Sequence, residues 1–166
     1  MNQHFTLFGL PETFQIDENA LETRYRALAA NCHPDKFASA SAFEQKQAVM
    51  MATAVNEAYR RLSRPLERAV LLLQAQGIQA DSEERTAFAP EFLMQQMEWR
   101  ETLAEARAAG DTAALNALEG QVSAEQTALY GQLAAAFDAQ QYQTAAQLVR
   151  QGRFLNKMRQ EIENAV

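Results

Sequence analysis

Residues 17–62 read DENALETRYRALAANCHPDKFASASAFEQKQAVMMATAVNEAYRRL, and this stretch contains two helical patterns separated by a short turn. Asp17 is a good N-cap for the first helix, and Pro34 ends it because proline disfavours helical geometry at the residue before it. Ser41 and Glu44 form a capping box at the start of the second helix. The apolar positions at helical spacing are Leu21, Tyr25, Leu28 and Cys32 in the first helix, and Ala48, Met51, Ala52, Val55, Tyr59 and Leu62 in the second. The stretch therefore predicts a long antiparallel helix pair.

Composition extends the helical prediction to the whole chain. Of the 166 residues, 32 are alanine, whereas only 6 are valine and 3 are isoleucine. Alanine is the best helix former and β-branched residues are the ones that fill pleated sheets, so a sheet-based fold is close to excluded. A hydrophobic content of 48% is too high for a disordered chain. We therefore predict an all-α fold.

The C-terminal half also has apolar residues at helical spacing, and the helices predicted there are longer. A helix over Pro90–Ala109 is stopped by Gly110, and Asp111 caps the next. Gly120 and Gly131 interrupt that second helix at a cost of about 1 kcal/mol each relative to alanine, which weakens the prediction of one continuous helix. The inward positions of the last two helices are Leu115, Leu118, Val122, Leu129, Leu133 and Phe137, followed by Ala145, Leu148, Gly152, Leu155, Arg159 and Ile162. Three helices joined by short turns predict an antiparallel bundle.

Charge divides the chain into two parts. Residues 1–77 carry eight basic and eight acidic side chains, whereas residues 78–166 carry 7 and 13. The change falls in a polar stretch directly after Gly77, which is typical of a junction. We therefore predict an N-terminal domain at 1–77, a junction at 78–88 and a C-terminal helical bundle at 89–166.

Several classes of function are disfavoured at this point. A net charge of −6 argues against non-specific nucleic-acid binding, which needs a dominant basic surface. The single cysteine, Cys32, cannot form an internal disulfide, and with two histidines it cannot complete a tetrahedral zinc site. No apolar run approaches the roughly 20 residues of a membrane span, and the N-terminus has no basic leader. We expect a cytoplasmic protein with no metal, no cofactor, no nucleic-acid partner and no membrane association.

The turn between the two N-terminal helices is His33-Pro34-Asp35, followed by Lys36 and Phe37. Taken alone, the tripeptide indicates only a helix–helix turn. With its flanks it resembles a J-domain, and the whole chain resembles the HscB family of J-type co-chaperones of bacterial iron–sulfur cluster assembly. The resemblance is carried by FTLFGLP at 5–11, YRAL at 25–28, HPDKFAS at 33–39, NEAYRRL at 56–62, RPLERA at 64–69 and FLMQQMEWRE at 92–101.

The resemblance implies a protein that is not an enzyme. Its N-terminal J-domain would dock on an ATP-bound HscA-type chaperone and stimulate ATP hydrolysis by that chaperone. His33 and Asp35 would contact the chaperone, and Pro34 would fix the turn. The basic face that steers the encounter would comprise Arg24, Arg26 and Lys36. Without the tripeptide, a solvated helix face would be the better explanation of these three residues.

The resemblance also implies that the C-terminal bundle binds an IscU-type cluster scaffold as client, promoting cluster transfer and the maturation of iron–sulfur proteins. The implied scaffold-binding residues are Leu93, Met94, Met97, Glu98, Glu101, Arg153 and Phe154. Leucine and methionine at helical spacing usually belong to a core. Here Phe92, Trp99 and Leu103 already supply a core-facing stripe, so the others lie beside it and we expect them to be exposed.

Two other readings are open from the sequence. Cys32 and His33 could act as nucleophile and base, but adjacent residues at a helix end project about 100° apart and no third group orients the imidazole. A metal site from His4, Cys32 and His33 has too few ligands. The more serious alternative is a J-domain protein that serves another client through a generic helical bundle.

Overall fold

The computed structural model describes residues 2–80 and 88–166, and the regular elements in these ranges are all helices, with no strand among them. The helices are α1 (Gln3–Leu7), α2 (Glu18–Asn31), a 3₁₀ helix (Pro34–Phe37), α3 (Ala42–Leu62), α4 (Pro65–Ala75), α5 (Pro90–Ala109), α6 (Thr112–Asp138) and α7 (Tyr142–Ala165). This confirms the predicted all-α fold. The chain forms two compact units, Met1–Ile78 and Gln79–Val166, and most of the predicted junction lies outside the described residues.

In the N-terminal unit, α2 and α3 pack as an antiparallel pair. The Asp17 carboxylate accepts a hydrogen bond from the Ala20 N–H at 3.0 Å, and the Ser41 hydroxyl accepts one from the Glu44 N–H at 3.2 Å. Both caps therefore begin their helices where the sequence predicts. Along the pair, the Tyr25 ring stacks on the Tyr59 ring with 4.1 Å between centroids. The buried residues of the two helices are Leu21, Ala48, Val55, Ala58 and Leu62.

The predicted inward position of Met51 is wrong. Its side chain is exposed and lines an open groove between α2 and α3 instead of joining the packed core. The core of α3 is a narrower stripe centred on Val55, and Met51 lies at its edge because the two residues are about 40° apart around the helix axis.

A buried arginine joins distant parts of the N-terminal unit. Arg68 of α4 donates from Nε to the carbonyl of Phe14 and from Nη1 to the carbonyl of Leu62, each at 2.6 Å. Its guanidinium carbon also lies 5.1 Å from the centroid of the Phe14 ring. Charge-assisted bonds to backbone carbonyls satisfy a cation that would otherwise be costly to bury. Arg68 therefore links the segment before α2 to the end of α3.

The C-terminal unit is a three-helix bundle. In it, α6 packs antiparallel to both α5 and α7. The Gln121 side chain of α6 accepts a bond from the Trp99 indole of α5 at 3.3 Å, and the Gln126 amide of α6 donates to the Asn156 amide oxygen of α7. Helix α6 is continuous despite the two glycines within it, and a Cβ at either one would meet open space. The expected weakness is absent because the buried stripe of α6 runs past both glycines: Leu115, Leu118, Val122, Leu129 and Leu133.

The two interhelical turns of the bundle use the same cap with different residues. After α5, Gly110 has φ 63° and the Asp111 N–H donates back to the Ala106 carbonyl. After α6, Gln140 has φ 57° and the Gln141 N–H donates to the Ala136 carbonyl. Both are helix C-terminal caps that need one left-handed residue. Only the first has the glycine that adopts this conformation without steric cost.

Replacing Gln140 by glycine is therefore expected to stabilise the protein. The relief of left-handed strain exceeds the entropic cost of glycine, so the free energy of unfolding should rise by about 0.5–1 kcal/mol. Chemical denaturation measures the difference. The control is Gln143→Gly in the first turn of α7, where glycine should instead lower stability by about 0.5–1 kcal/mol. Equal effects of the two substitutions would contradict the conclusion that Gln140 is strained by its left-handed backbone conformation.

Candidate partner-binding sites

The tripeptide forms an exposed, tightly turned segment between α2 and α3. His33 has extended backbone geometry, with φ −63° and ψ 135°, and it caps the 3₁₀ helix that begins at Pro34. Its Nδ1 accepts a bond from the Asp35 N–H at 3.2 Å, and its carbonyl accepts one from the Lys36 N–H at 3.0 Å. The accepting Nδ1 places the proton of the neutral imidazole on Nε2. The side chains of His33 and Asp35 remain largely exposed, at 59% and 92%.

Bonds on both sides hold this segment in place. Before it, the Cys32 thiol is buried and donates to the Leu28 carbonyl at 3.1 Å. After it, the Gln45 amide of α3 donates to the Phe37 carbonyl at 3.0 Å. Cys32 is thus bonded to its own helix, and the His33 ring is bonded to Asp35, which is not the arrangement of a nucleophile with its base. Exposed polar side chains on a fixed frame are typical of recognition.

The structure does not bring the three predicted basic residues together on one face. Arg24 and Arg26 are two positions apart on α2, which places them about 200° apart around its axis. The Arg24 Nη1 donates to the carbonyls of Phe8 and Gly9 at 2.7 and 2.8 Å. Arg26 pairs with Glu22 of its own helix at 2.6 Å, and the Lys36 ammonium lies 3.4 Å from the amide oxygen of Asn31.

Arg24 is therefore expected to contribute to stability, unlike Arg26. Substituting Arg24 with alanine removes two charge-assisted bonds to carbonyls 15 and 16 residues away, and should lower the free energy of unfolding by about 1–2 kcal/mol. Arg26→Ala is the matched control and should cost less than about 0.5 kcal/mol, because an exposed i,i+4 pair contributes little. Urea denaturation of both variants measures the difference. Similar stability of the two variants would contradict a structural role for Arg24.

In the C-terminal unit, the four predicted apolar residues are exposed. Their exposed fractions are 45% for Leu93, 61% for Met94, 70% for Met97 and 38% for Phe154. Trp99 and Leu103 are buried on another side of α5, as the helical spacing predicts. We call the four exposed residues the α5–α7 patch. An exposed apolar surface of this kind indicates a partner.

The α5–α7 patch rests on an aromatic support that the sequence analysis missed. The Phe154 ring meets the Phe88 ring edge-on, with 5.1 Å between centroids, and lies 6.5 Å from the Phe92 ring. Such edge-to-face arrangements are favourable for aromatic pairs. Phe88 lies in the predicted junction, but it precedes Phe92 by four residues, which is a helical spacing. This spacing is the signal in the sequence for the contact between the two rings.

Charged side chains border the patch on both helices. Glu98 and Glu101 are exposed on α5, while Arg153 is half-buried on α7. Lys157, which the sequence analysis did not single out, is also exposed and lies one turn after Phe154 on the same side of α7. The patch therefore has acidic groups along one helix and basic groups along the other, which can orient a partner.

Within residues 2–80 and 88–166, no three histidine, cysteine, aspartate or glutamate side chains converge to hold a metal ion. No helix within them combines the length and apolar character that a membrane crossing requires.

Comparison with known proteins gives one match to the C-terminal unit and others to the whole chain. Residues 88–163 match the family described as the HSCB C-terminal oligomerisation domain. A protein named Co-chaperone protein HscB homolog, from Neisseria meningitidis, is 60% identical over 166 residues, which is the full length of both chains.

Two solved structures are similar over nearly the whole chain. The chaperone HscB from Vibrio cholerae has a TM-score of 0.85 and 39% identity, covering 99% of this chain and 96% of its own. The human co-chaperone protein HscB has a TM-score of 0.90 and 29% identity, covering 98% of this chain and 81% of its own. With its J-type all-α fold and its full-length similarity to these proteins, the chain belongs to the HscB family of co-chaperones.

Proposed function

We propose that this protein is a co-chaperone with no catalytic activity of its own that brings an IscU-type scaffold to an HscA-type chaperone and stimulates ATP hydrolysis by that chaperone. The observation that carries the proposal is the presence of two exposed surfaces, one on each unit. His33, Pro34 and Asp35 form the first, and the α5–α7 patch forms the second. Cluster transfer from the scaffold and the maturation of iron–sulfur proteins in the cytoplasm would follow.

The geometry of the tripeptide supports chaperone docking by the N-terminal unit. The side chains of His33 and Asp35 point to solvent while backbone bonds and Gln45 fix the segment that carries them. Little conformational entropy is then lost when a partner engages them. Arg26 and Lys36 are exposed cations that can speed the encounter with an acidic surface, and Arg24 contributes through the fold of the unit.

The α5–α7 patch supports binding of the scaffold by the C-terminal unit. Its leucine and two methionines are flexible apolar side chains on a rigid helix, and Phe154 adds an aromatic anchor braced by Phe88. Anchors of this type carry most of the energy of protein interfaces. Glu98, Glu101 and Arg153 would set the orientation of the scaffold.

Because one chain carries both surfaces, it can bind the scaffold and the chaperone at the same time. A scaffold bound to one unit and a chaperone bound to the other are held at a high effective concentration, so their encounter no longer depends on free diffusion. We therefore expect the chain to increase the chaperone's response to the scaffold beyond the sum of their separate effects.

The test is a reconstitution with purified HscA-type chaperone and IscU-type scaffold. Steady-state ATP hydrolysis should rise with the concentration of this protein and saturate, and the scaffold should raise the rate further in its presence. No stimulation at any concentration would contradict the proposal. A pull-down from a cell extract with the intact protein as bait addresses the client, and recovery of the chaperone with a client other than the scaffold would contradict scaffold delivery.

A further inference from the structure

The N-terminal unit carries an apolar groove beside the tripeptide. Its volume is about 950 Å³, and it runs between the end of α2 and the first half of α3. Its apolar lining residues are Leu7, Leu28, Phe37, Phe43, Met50 and Met51.

The exposed residues of the groove are not needed for packing. Phe43 is 68% exposed and Met50 is 63% exposed, although both are large apolar side chains on a well-capped helix. The core of α3 lies on another side, at Val55 and Leu62, which are fully buried. Large apolar side chains left in water two turns apart on one helix indicate a surface that a partner covers. Methionine suits such a surface because it adapts to irregular apolar partners.

The groove is continuous with the tripeptide segment. Asn31 and Cys32, directly before the tripeptide, and Phe37, two residues after it, all line the groove. The Gln45 amide donates to the Phe37 carbonyl at 3.0 Å, which joins the segment after the tripeptide to the α3 wall of the groove. Of the charged side chains, Lys46 and Glu44 line the groove, and the Lys36 ammonium lies 3.4 Å from the amide oxygen of Asn31, which also lines it. The border of the groove therefore carries charges of both signs, which can orient a partner whose apolar segment enters it.

We propose that this groove receives an apolar segment of the same chaperone that engages His33 and Asp35, an inference that rests on the proposed function. A chaperone held at the tripeptide lies over the groove mouth, because residues of the same short segment form both. An extended or helical apolar stretch is the chemistry that fits an apolar groove bordered by charged side chains. The tripeptide supplies the polar contacts, and the groove supplies the apolar area that makes the docked state persist.

The experiment compares Met50→Glu with Val49→Glu in the full-length protein. Val49 is 55% exposed on the same helix but does not line the groove, so it controls for the added charge and for helix stability. Met50→Glu should raise the concentration for half-maximal stimulation of chaperone ATP hydrolysis at least tenfold, as expected for loss of an interface anchor. Val49→Glu should leave it within about twofold. Scaffold affinity should be unchanged in both variants.

A second variant removes apolar area without adding charge. Phe43→Ala should raise the half-maximal concentration about three- to tenfold, with the helical circular dichroism signal retained. Wild-type stimulation by both folded groove variants would overturn the inference, and so would equal weakening by Met50→Glu and Val49→Glu.

Sedimentation velocity tests whether a second copy of this chain, and not the chaperone, occupies the groove. A wild-type protein that self-associates, and loses this association on Met50→Glu, would show that a second copy fills the groove and would also overturn the inference. Failure of the wild-type protein to stimulate the chaperone would instead contradict the proposed function, so the two failures are distinguishable.

Discussion

Replacing His33 with glutamine is expected to abolish stimulation of the chaperone's ATP hydrolysis while leaving scaffold binding intact. The imidazole is exposed, and its Nδ1 contacts the Asp35 N–H at 3.2 Å and the Asp35 carboxylate at 3.6 Å, so its loss opens no cavity. What the variant loses is the imidazole ring, with its Nε2 donor held at a fixed position for the chaperone. We expect at least a hundredfold loss of stimulation at a given concentration, which corresponds to about 2.7 kcal/mol. A coupled assay of ATP hydrolysis measures it, with circular dichroism as the check on folding.

His4→Gln is the matched control, because His4 is the other of the two histidines in the chain and lies in the same unit. Burial, aided by the nearby Arg61 guanidinium, lowers the pKa of His4, so its side chain is neutral at pH 7 and glutamine preserves its charge. This variant should stimulate the chaperone as the wild type does. Normal stimulation by His33→Gln would remove the assignment of the tripeptide as a chaperone-docking site.

Truncating Leu93, Met94 and Phe154 together to alanine is expected to lower affinity for the scaffold at least a hundredfold. Each is exposed, and interface anchors typically lose about 1–3 kcal/mol on truncation. The fold should survive, with a stability loss of about 1 kcal/mol from the aromatic contacts of Phe154. Titration calorimetry and thermal melting of the one variant measure both effects, and stimulation of the chaperone without scaffold should be retained.

Leu103→Ala provides the contrast on the same helix. Leu103 is buried, so its truncation should destabilise the bundle by about 2–5 kcal/mol, whereas Leu93→Ala should leave the melting transition nearly unchanged. Undiminished scaffold affinity in the folded triple variant would contradict the patch. A triple variant that loses its melting transition would show that these residues belong to the core.

Features decided by neighbouring residues could be predicted from the sequence. The caps at Asp17, Ser41 and Asp111 depend on side chains three residues from the N–H groups that they satisfy. Exposure of Met94 and Met97 also followed from helical spacing, because Trp99 and Leu103 had already defined the buried side of α5.

Features made by contacts between distant residues could not be predicted. The partners of Arg24 are carbonyls of a loop before α2, so its pattern on the helix alone suggested a solvated cation. The groove beside the tripeptide exists because α1, α2 and α3 leave a space between them, and no spacing within α3 reveals it. Met51 shows the same limit, since its helical position is close to that of Val55 but the neighbouring helices do not cover it.

The Arg68 link sets the boundaries of any fragment that could be expressed as an isolated J-domain. A fragment cut after α3 would lack the guanidinium that satisfies the Phe14 and Leu62 carbonyls, and one that began at α2 would lack Phe14 itself. Either cut leaves buried polar groups without partners and should give an aggregation-prone product that proteases degrade readily. The smallest autonomous piece therefore includes both the segment before α2 and the whole of α4, even though the tripeptide and the two helices that flank it lie between them.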